Sequence, residues 1–312
     1  MLVFVGRRLA ESIPVLVLAS MVVFSMLHLV PGDPVDAMMG AAAFQSAGRQ
    51  DLVDRIREEL GLNQPMPVQY AQWAAHAVRG DLGQSFVRNR PVTELILERL
   101  PSTLELAGMS MLIAASVGLI LGLIAALKRN SPIDGLVMAV SLGGVSMPSF
   151  WFALLLILVF SVGLGLLPAT GSGTFAQLIL PAVALGYEGV ALIARLTRAS
   201  MLEVLSKQFM TTAHAKGLPP RIVLLRHALR NAMIPVVTVV GLQVGRLLAG
   251  SVIVETVFAR QGIGQLAIEA ILQKDYPLVQ GIILLTASTY VIANLLVDLS
   301  YGYLDPQIRT AS

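Results

Sequence analysis

The chain has 312 residues, of which 55% are hydrophobic and 13% charged, with a mean hydropathy of +0.75. Its apolar residues come in long blocks, which places it among polytopic membrane proteins rather than soluble domains. The formal net charge of +3 is small and the basic residues cluster between the blocks, which argues against nucleic acid as the reason for a pI of 9.4; the absence of Cys excludes disulfides, thiolate catalysis and Cys metal sites.

The chain opens with Arg7-Arg8 and an apolar run from Leu9 to Val30, broken near its start only by Glu11. A span needs about 20 apolar residues, so this run predicts a first transmembrane helix over 9–30 with residues 1–8 inside. A cleaved signal peptide is the competing reading, since Ala41-Ala42-Ala43 resembles a cleavage site; the run is longer than a signal core of roughly 7 to 15 residues. Residues 31–101 then turn soluble-like and predict an extracytoplasmic loop or cap. Within it, 51–62 sets Leu52, Ile56 and Leu60 on one helical face, ended by Gly61, and 70–78 has a similar pattern.

Five further spans follow. Residues 103–127 end at Lys128-Arg129; 136–164 carry Pro148 as a kink; 176–198 end in Arg195 and Arg198; 233–257 and 278–304 lie beyond a polar segment, leaving 305–312 as a tail. The expected fold is therefore all-α, with six transmembrane helices and both termini cytoplasmic. Arg7, Arg8, Lys128, Arg129 and the region from Arg195 to Arg230 then all fall inside, whereas the short outer loops carry only Arg260 and Lys274.

The polar segment, 199–232, interrupts an otherwise greasy chain. It reads as two amphipathic helices and a turn. Leu202, Leu205, Phe209 and Ala213 form one stripe, while Lys207, Gln208, His214 and Lys216 face elsewhere. Gly217 suits the left-handed position past a helix end, and Pro219-Pro220 can open the next helix. There Ile222, Leu225 and Leu229 form the apolar side against Arg226, His227 and Arg230, so the pair lies at the membrane rather than through it.

The run Thr212-Ala213-His214-Ala215-Lys216-Gly217, followed ten residues on by His227-Ala228-Leu229-Arg230-Asn231 and then Ile234-Pro235, resembles the cytoplasmic EAA loop of binding-protein-dependent ABC importer permeases. Thr211 and Arg230 stand where that loop more often has Glu and Pro. His28-Leu29-Val30-Pro31-Gly32-Asp33-Pro34, Gly80-Asp81-Leu82-Gly83-Gln84-Ser85, Arg90-Pro91-Val92, Ser146-Met147-Pro148, Arg195-Leu196-Thr197-Arg198 and Asp275-Tyr276-Pro277 fall in the order of the dipeptide and oligopeptide permease group, which includes glutathione and nickel importers.

This resemblance implies a type I ABC importer transmembrane domain in a bacterial cytoplasmic (inner) membrane. It further implies a coupling segment in which Glu203, Lys207, Phe209, Met210, Thr212, Ala213, Ala215, Lys216 and Gly217 meet an ATPase. The implied partners are a homologous second permease, two ATP-binding cassette subunits that hold ATP and Mg, and an extracytoplasmic substrate-binding protein. No cofactor is expected on this chain. The 31–101 loop is then either a packed cap or the docking surface of the binding protein.

Within the spans, Gly118-Leu119-Ile120-Leu121-Gly122 and Gly241-Leu242-Gln243-Val244-Gly245 are GxxxG patterns that let helices approach closely, for plain packing or for a rocking interface. Ionisable residues there point to a partner or a wet path. Glu188 and Arg246 lie at similar depths near the bilayer middle, and they either pair with each other or line the path and meet the termini of a zwitterionic cargo. Asn294 and Asp298, one turn apart, read as packing polars. The sequence has no GxxxxGK[ST] loop, no GxSxG elbow and no metal-ligand spacing among His28, His76, His214 and His227, so it is not expected to be an enzyme. A self-contained carrier or channel is the alternative class; such proteins tend to show inverted repeats, and none is evident.

Overall fold

The computed structural model describes residues 2–29 and 63–304. The expected helix over 51–62, the first part of the 31–101 loop (31–62) and the tail at 305–312 lie outside the described residues. Among those described are ten helices: α1 (Leu2–Leu29), α2 (Met66–Val78), α3 (Val92–Leu127), α4 (Pro132–Ser146), α5 (Ser149–Gly163), α6 (Phe175–Leu205), α7 (Gln208–Ala215), α8 (Pro220–Val257), α9 (Ile263–Leu272) and α10 (Tyr276–Leu304). No strand occurs among the described residues, only an isolated bridge between Gln84 and Pro91.

Helices α3, α6, α8 and α10 are each long and apolar enough to cross a membrane, and α4 with α5 form a fifth candidate that is bent by 113°. Here the kink expected within 136–164 is a break between two helices. Pro148 lacks an N–H and forces the preceding Met147 out of the helical region, to φ −91° and ψ 125°. The result is a break between two helices, far sharper than a kink.

Helix starts follow local chemistry. Ser131 caps α4 through the Asp134 amide at 3.3 Å, with Pro132 in the first turn. Thr174 opens α6 with a capping box in which Gln177 N–H donates to Thr174 Oγ1 and Thr174 N–H donates back to Gln177 Oε1 at 3.1 Å.

The chain divides into two compact units. The first is centred on Ser102–Gln261 and its core is built on α6, whose buried residues run from Leu178 to Val204. Glycines allow the approach of α3 to α6: a Cβ on Gly122 would lie 2.5 Å from the Ala194 carbonyl oxygen, and one on Gly118 2.9 Å from that of Val190. Of the two uses open to this GxxxG pair, the geometry displays close packing.

The second unit takes Val5–Pro101 and Gly262–Val291. Its core joins Val92, Leu95 and Ile96 to Leu266, Leu278 and Ile282. Phe24 of α1 meets the Tyr70 ring edge-on at 5.6 Å, and Ser20 and Tyr70 share a 2.8 Å hydrogen bond. The turn around Gly80 and Gly83, both at positive φ, is tied down by the wholly buried Asp275, which accepts from the Ser85 hydroxyl and from the Phe86 N–H at 3.1 Å. Arg88 adds an ion pair to Glu269 at 2.8 Å.

Candidate functional site

Two regions of the first unit hold the residues singled out from sequence. The first is a cleft between α6 and α8. Helical spacing sets Gln243, Arg246, Leu247 and Gly250 on one face of α8, while Ala184, Leu185, Glu188 and Gly189 form the facing strip of α6; all line the cleft with Phe152 and Tyr187. Tyr187 holds the far wall in place, donating to the Val140 carbonyl at 3.1 Å and stacking on Phe152 with ring centres 4.2 Å apart.

Glu188 and Arg246, 58 residues apart in the chain, are brought together here. Their closest approach, Arg246 Nη1 to Glu188 Oε1, is 3.8 Å, an ion pair without a hydrogen bond, and their side chains remain 67% and 61% exposed. Such a loose, open pair contributes little to stability, about 0–1 kcal/mol in water. It also leaves both groups free to bind something else. The residues thus pair, the first of the two sequence readings, and both line the cleft. Asn294 is half-buried, and the Asp298 side chain lies outside those described.

The second region is the polar segment. The structure corrects the reading of its first half, because α6 continues to Leu205, breaks at Ser206-Lys207, and α7 starts afresh at Gln208. The break resets the helical phase. Met210 and Ala213, 2% and 7% exposed, turn inward against Met201, Val204, Val223 and Ala228, whereas Phe209 is 40% exposed. Phe209, Thr212, Ala215, Lys216 and Gly217 make the outer face. Glu203 and Lys207 pair across the break at 3.0 Å, both exposed. Gly217 has φ +71°, the left-handed turn expected of it.

The second half differs as well. Residues Val223–Leu229 form a π-helical segment, and its wider turn shifts every later side chain around the axis. Val223 and Ala228 are buried and Leu229 packs against the same core, so the expected apolar stripe is split, with Ile222, just before the π-helical segment, and Leu225 within it 43% and 58% exposed. The exposed face of the segment is thus Phe209, Ile222 and Leu225 set among Lys207, Lys216 and Arg221.

Three groups escaped the sequence reading. Asp134, with a side chain 6% exposed, receives two hydrogen bonds from Arg198, at 2.5 and 2.7 Å, and one from the Asn130 amide at 3.0 Å. This pair joins the start of α4 to α6, seven residues before α6 ends. Arg260 is 1% exposed, donates to Glu105 at 2.5 Å and to the Ser102 carbonyl, and lies near buried Glu255, which accepts from Thr103 at 2.7 Å. Gln243, 4% exposed, was hidden inside a GxxxG pattern. Its spacing of three from Arg246 was the available signal.

A family model described as binding-protein-dependent transport system inner membrane component matches residues 118–310, and its N-terminal companion matches 1–107. The chain is 43% identical to the di/tripeptide transport system permease protein DppB of Pseudomonas aeruginosa strain UCBPP-PA14, over 99% of both chains. It is 42% identical to the dipeptide transport system permease protein DppB of Alkalihalophilus pseudofirmus, over 99% of this chain and 100% of that one. Identity to the glutathione transport system permease protein GsiC of Escherichia coli K12 is 43%, again over 99% of both. In fold, it is similar to a solved MetNI methionine ABC transporter, with a TM-score of 0.56 at 19% identity, covering 68% of this chain and 96% of that chain.

Proposed function

Since the chain belongs to the family of binding-protein-dependent transport system inner membrane components and is a multi-pass permease of an ABC importer, we propose that it carries dipeptides or short oligopeptides into the cell. The observation that carries this is end-to-end identity of 42–43% to two peptide permeases. Glutathione is the second reading, because the glutathione permease GsiC is matched equally well; it is itself a tripeptide, with an ammonium group and carboxylates for the same two charges.

In this reading the chain crosses the membrane six times, over 9–30, 103–127, 136–164, 176–198, 233–257 and 278–304, with both termini cytoplasmic and residues 31–101 outside. It has no chemistry of its own. ATP and Mg act on two partner ATPases, and the face of 199–232 carrying Glu203, Lys207, Phe209, Thr212, Ala215, Lys216 and Gly217 docks on one of them. Met210 and Ala213 serve this face from beneath, fixing α7 to the core. A push on α7 passes directly into α6, only two residues away, and so to the cleft. A second, homologous permease completes the path across the open side of that cleft, and an extracytoplasmic binding protein delivers the cargo.

Within the cleft, the Glu188 carboxylate suits an ammonium group and the Arg246 guanidinium a carboxylate, the two ends of a peptide. The test is to tag the chain, express it with its chromosomal neighbours and identify what co-purifies in mild detergent, alongside Gly217→Glu. Two ATPases and a second permease retained by wild type, with the ATPases lost from the variant, support the reading. Competition of labelled alanylalanine uptake by glutathione then assigns the cargo. Purification of the chain alone, unaffected by the substitution, would favour a self-contained carrier.

A further inference from the structure

We propose that Gln243 is the residue that makes the cleft selective for a peptide bond. The residue is 4% exposed and lines the cleft. Its carboxamide makes no hydrogen bond to any described residue, yet its polar atoms are not among those wholly enclosed without a partner. The amide therefore looks into the cleft. A ligand that fills the cleft displaces the water around this amide, so one that supplies its hydrogen-bond partners is favoured over one that leaves it unmatched.

The position is defined by its neighbours. Gln243 sits one helical turn from Arg246 on α8, and across the cleft Gly189 follows Glu188 on α6. A Cβ on Gly189 would come within 3.2 Å of Gln243 Nε2 and 2.8 Å of Ala114 Cβ, so glycine there keeps space for the amide. The three polar groups thus differ in kind: an anion, a cation and a neutral group that both donates and accepts. A carboxamide matches the C=O and N–H of one peptide unit at once. A cargo with charged ends at Glu188 and Arg246 would present its internal amide to Gln243.

This inference rests on the cleft being the cargo path, and the test separates the two. Glycylglycine and 5-aminopentanoate have the same charged ends at nearly the same spacing, but only the first has an amide. Initial uptake of each labelled compound is measured with the whole transporter, with equilibrium binding to the purified complex as a parallel reading. Wild type, Gln243→Met and Gln243→Asn are compared, and co-purification of the partners verifies assembly. Methionine keeps the length of glutamine without its hydrogen bonds. Gln243→Met is expected to lower glycylglycine uptake about tenfold, the effect of one buried group left unmatched, and 5-aminopentanoate less than about twofold; Gln243→Asn should recover part of the loss. Equal loss of both compounds, or of neither, overturns the role of Gln243. Should Glu188→Gln and Arg246→Gln also leave both compounds unchanged, the cleft itself is not the path.

Discussion

Replacing Gly122 by alanine isolates the contact that sets the distance between α3 and α6. The new Cβ would sit 2.5 Å from the Ala194 carbonyl oxygen and 2.6 Å from Thr197 Cβ, whereas ordinary contact begins near 3.4 Å. The overlap of about 0.9 Å cannot be relieved by rotating a side chain, because both neighbours are fixed to the α6 backbone. The helices must separate, and a gap of that size forfeits roughly a quarter to a half of each affected dispersion contact. Overpacking of this kind costs about 1–3 kcal/mol, and two immovable neighbours place Gly122 at the upper end. Alanine returns about 1 kcal/mol through helix propensity, leaving a net loss of about 2 kcal/mol. For a chain of 312 residues that corresponds to roughly 3 °C in melting temperature. Gly108→Ala on the same helix, where nothing lies within 4 Å of the added atom, is the control and should melt no lower than wild type. The assay is thermal unfolding of the purified complex in mild detergent. Should Gly122→Ala melt with wild type, or both variants fall equally, the close-packing argument is wrong.

Removing Asp134 by alanine breaks a bidentate pair and strands Arg198, which is a quarter exposed; the expected loss is about 3 kcal/mol, at the low end for a buried pair, and Arg198→Lys should restore little because lysine cannot bond both oxygens. Asp275→Ala frees the Ser85 hydroxyl and Phe86 amide, so trypsin should cut after Arg88 faster in right-side-out vesicles, Arg90 being protected by the following Pro91; an unchanged cutting rate contradicts the clamp. Phe209→Ala is expected to weaken retention of the ATPases with little change in melting temperature, whereas Met210→Ala, which empties a site 2% exposed, should cost about 2–5 kcal/mol of stability. The reverse pattern would mean that α7 presents its other face. The exchange Glu188→Arg with Arg246→Glu should assemble normally, since the pair is loose, yet alter uptake; wild-type transport by that double variant would remove the cleft from the path.

Membrane class, the positions of the long apolar helices and the location of the polar segment were legible in the chain because they follow from composition summed over many residues. Block hydropathy places α3, α6, α8 and α10, and no tertiary contact can undo it. Gly217 was readable for a similar reason, as a left-handed turn before two prolines asks for glycine locally. The orientation of individual side chains was not legible. A two-residue break at Ser206-Lys207 and one π-helical segment at Val223–Leu229 each shift the helical phase, and through them Met210 went inward while Leu225 came to the surface. Neither irregularity has a strong signature in residue type. The bend between α4 and α5 was visible at Pro148, but its size depends on what packs on either side.

The chain by itself marked Glu188 and Arg246 as charges set within apolar runs, since the cost of desolvation is a property of each residue and its place in such a run. Only the tertiary structure decided that they lie 3.8 Å apart in an open cleft, that Gln243 joins them, and that Arg198 is held by Asp134 across 64 residues. Pairing depends on which helix faces meet. That is set by glycine contacts such as Gly122 against Ala194, where a fraction of an ångström decides the register.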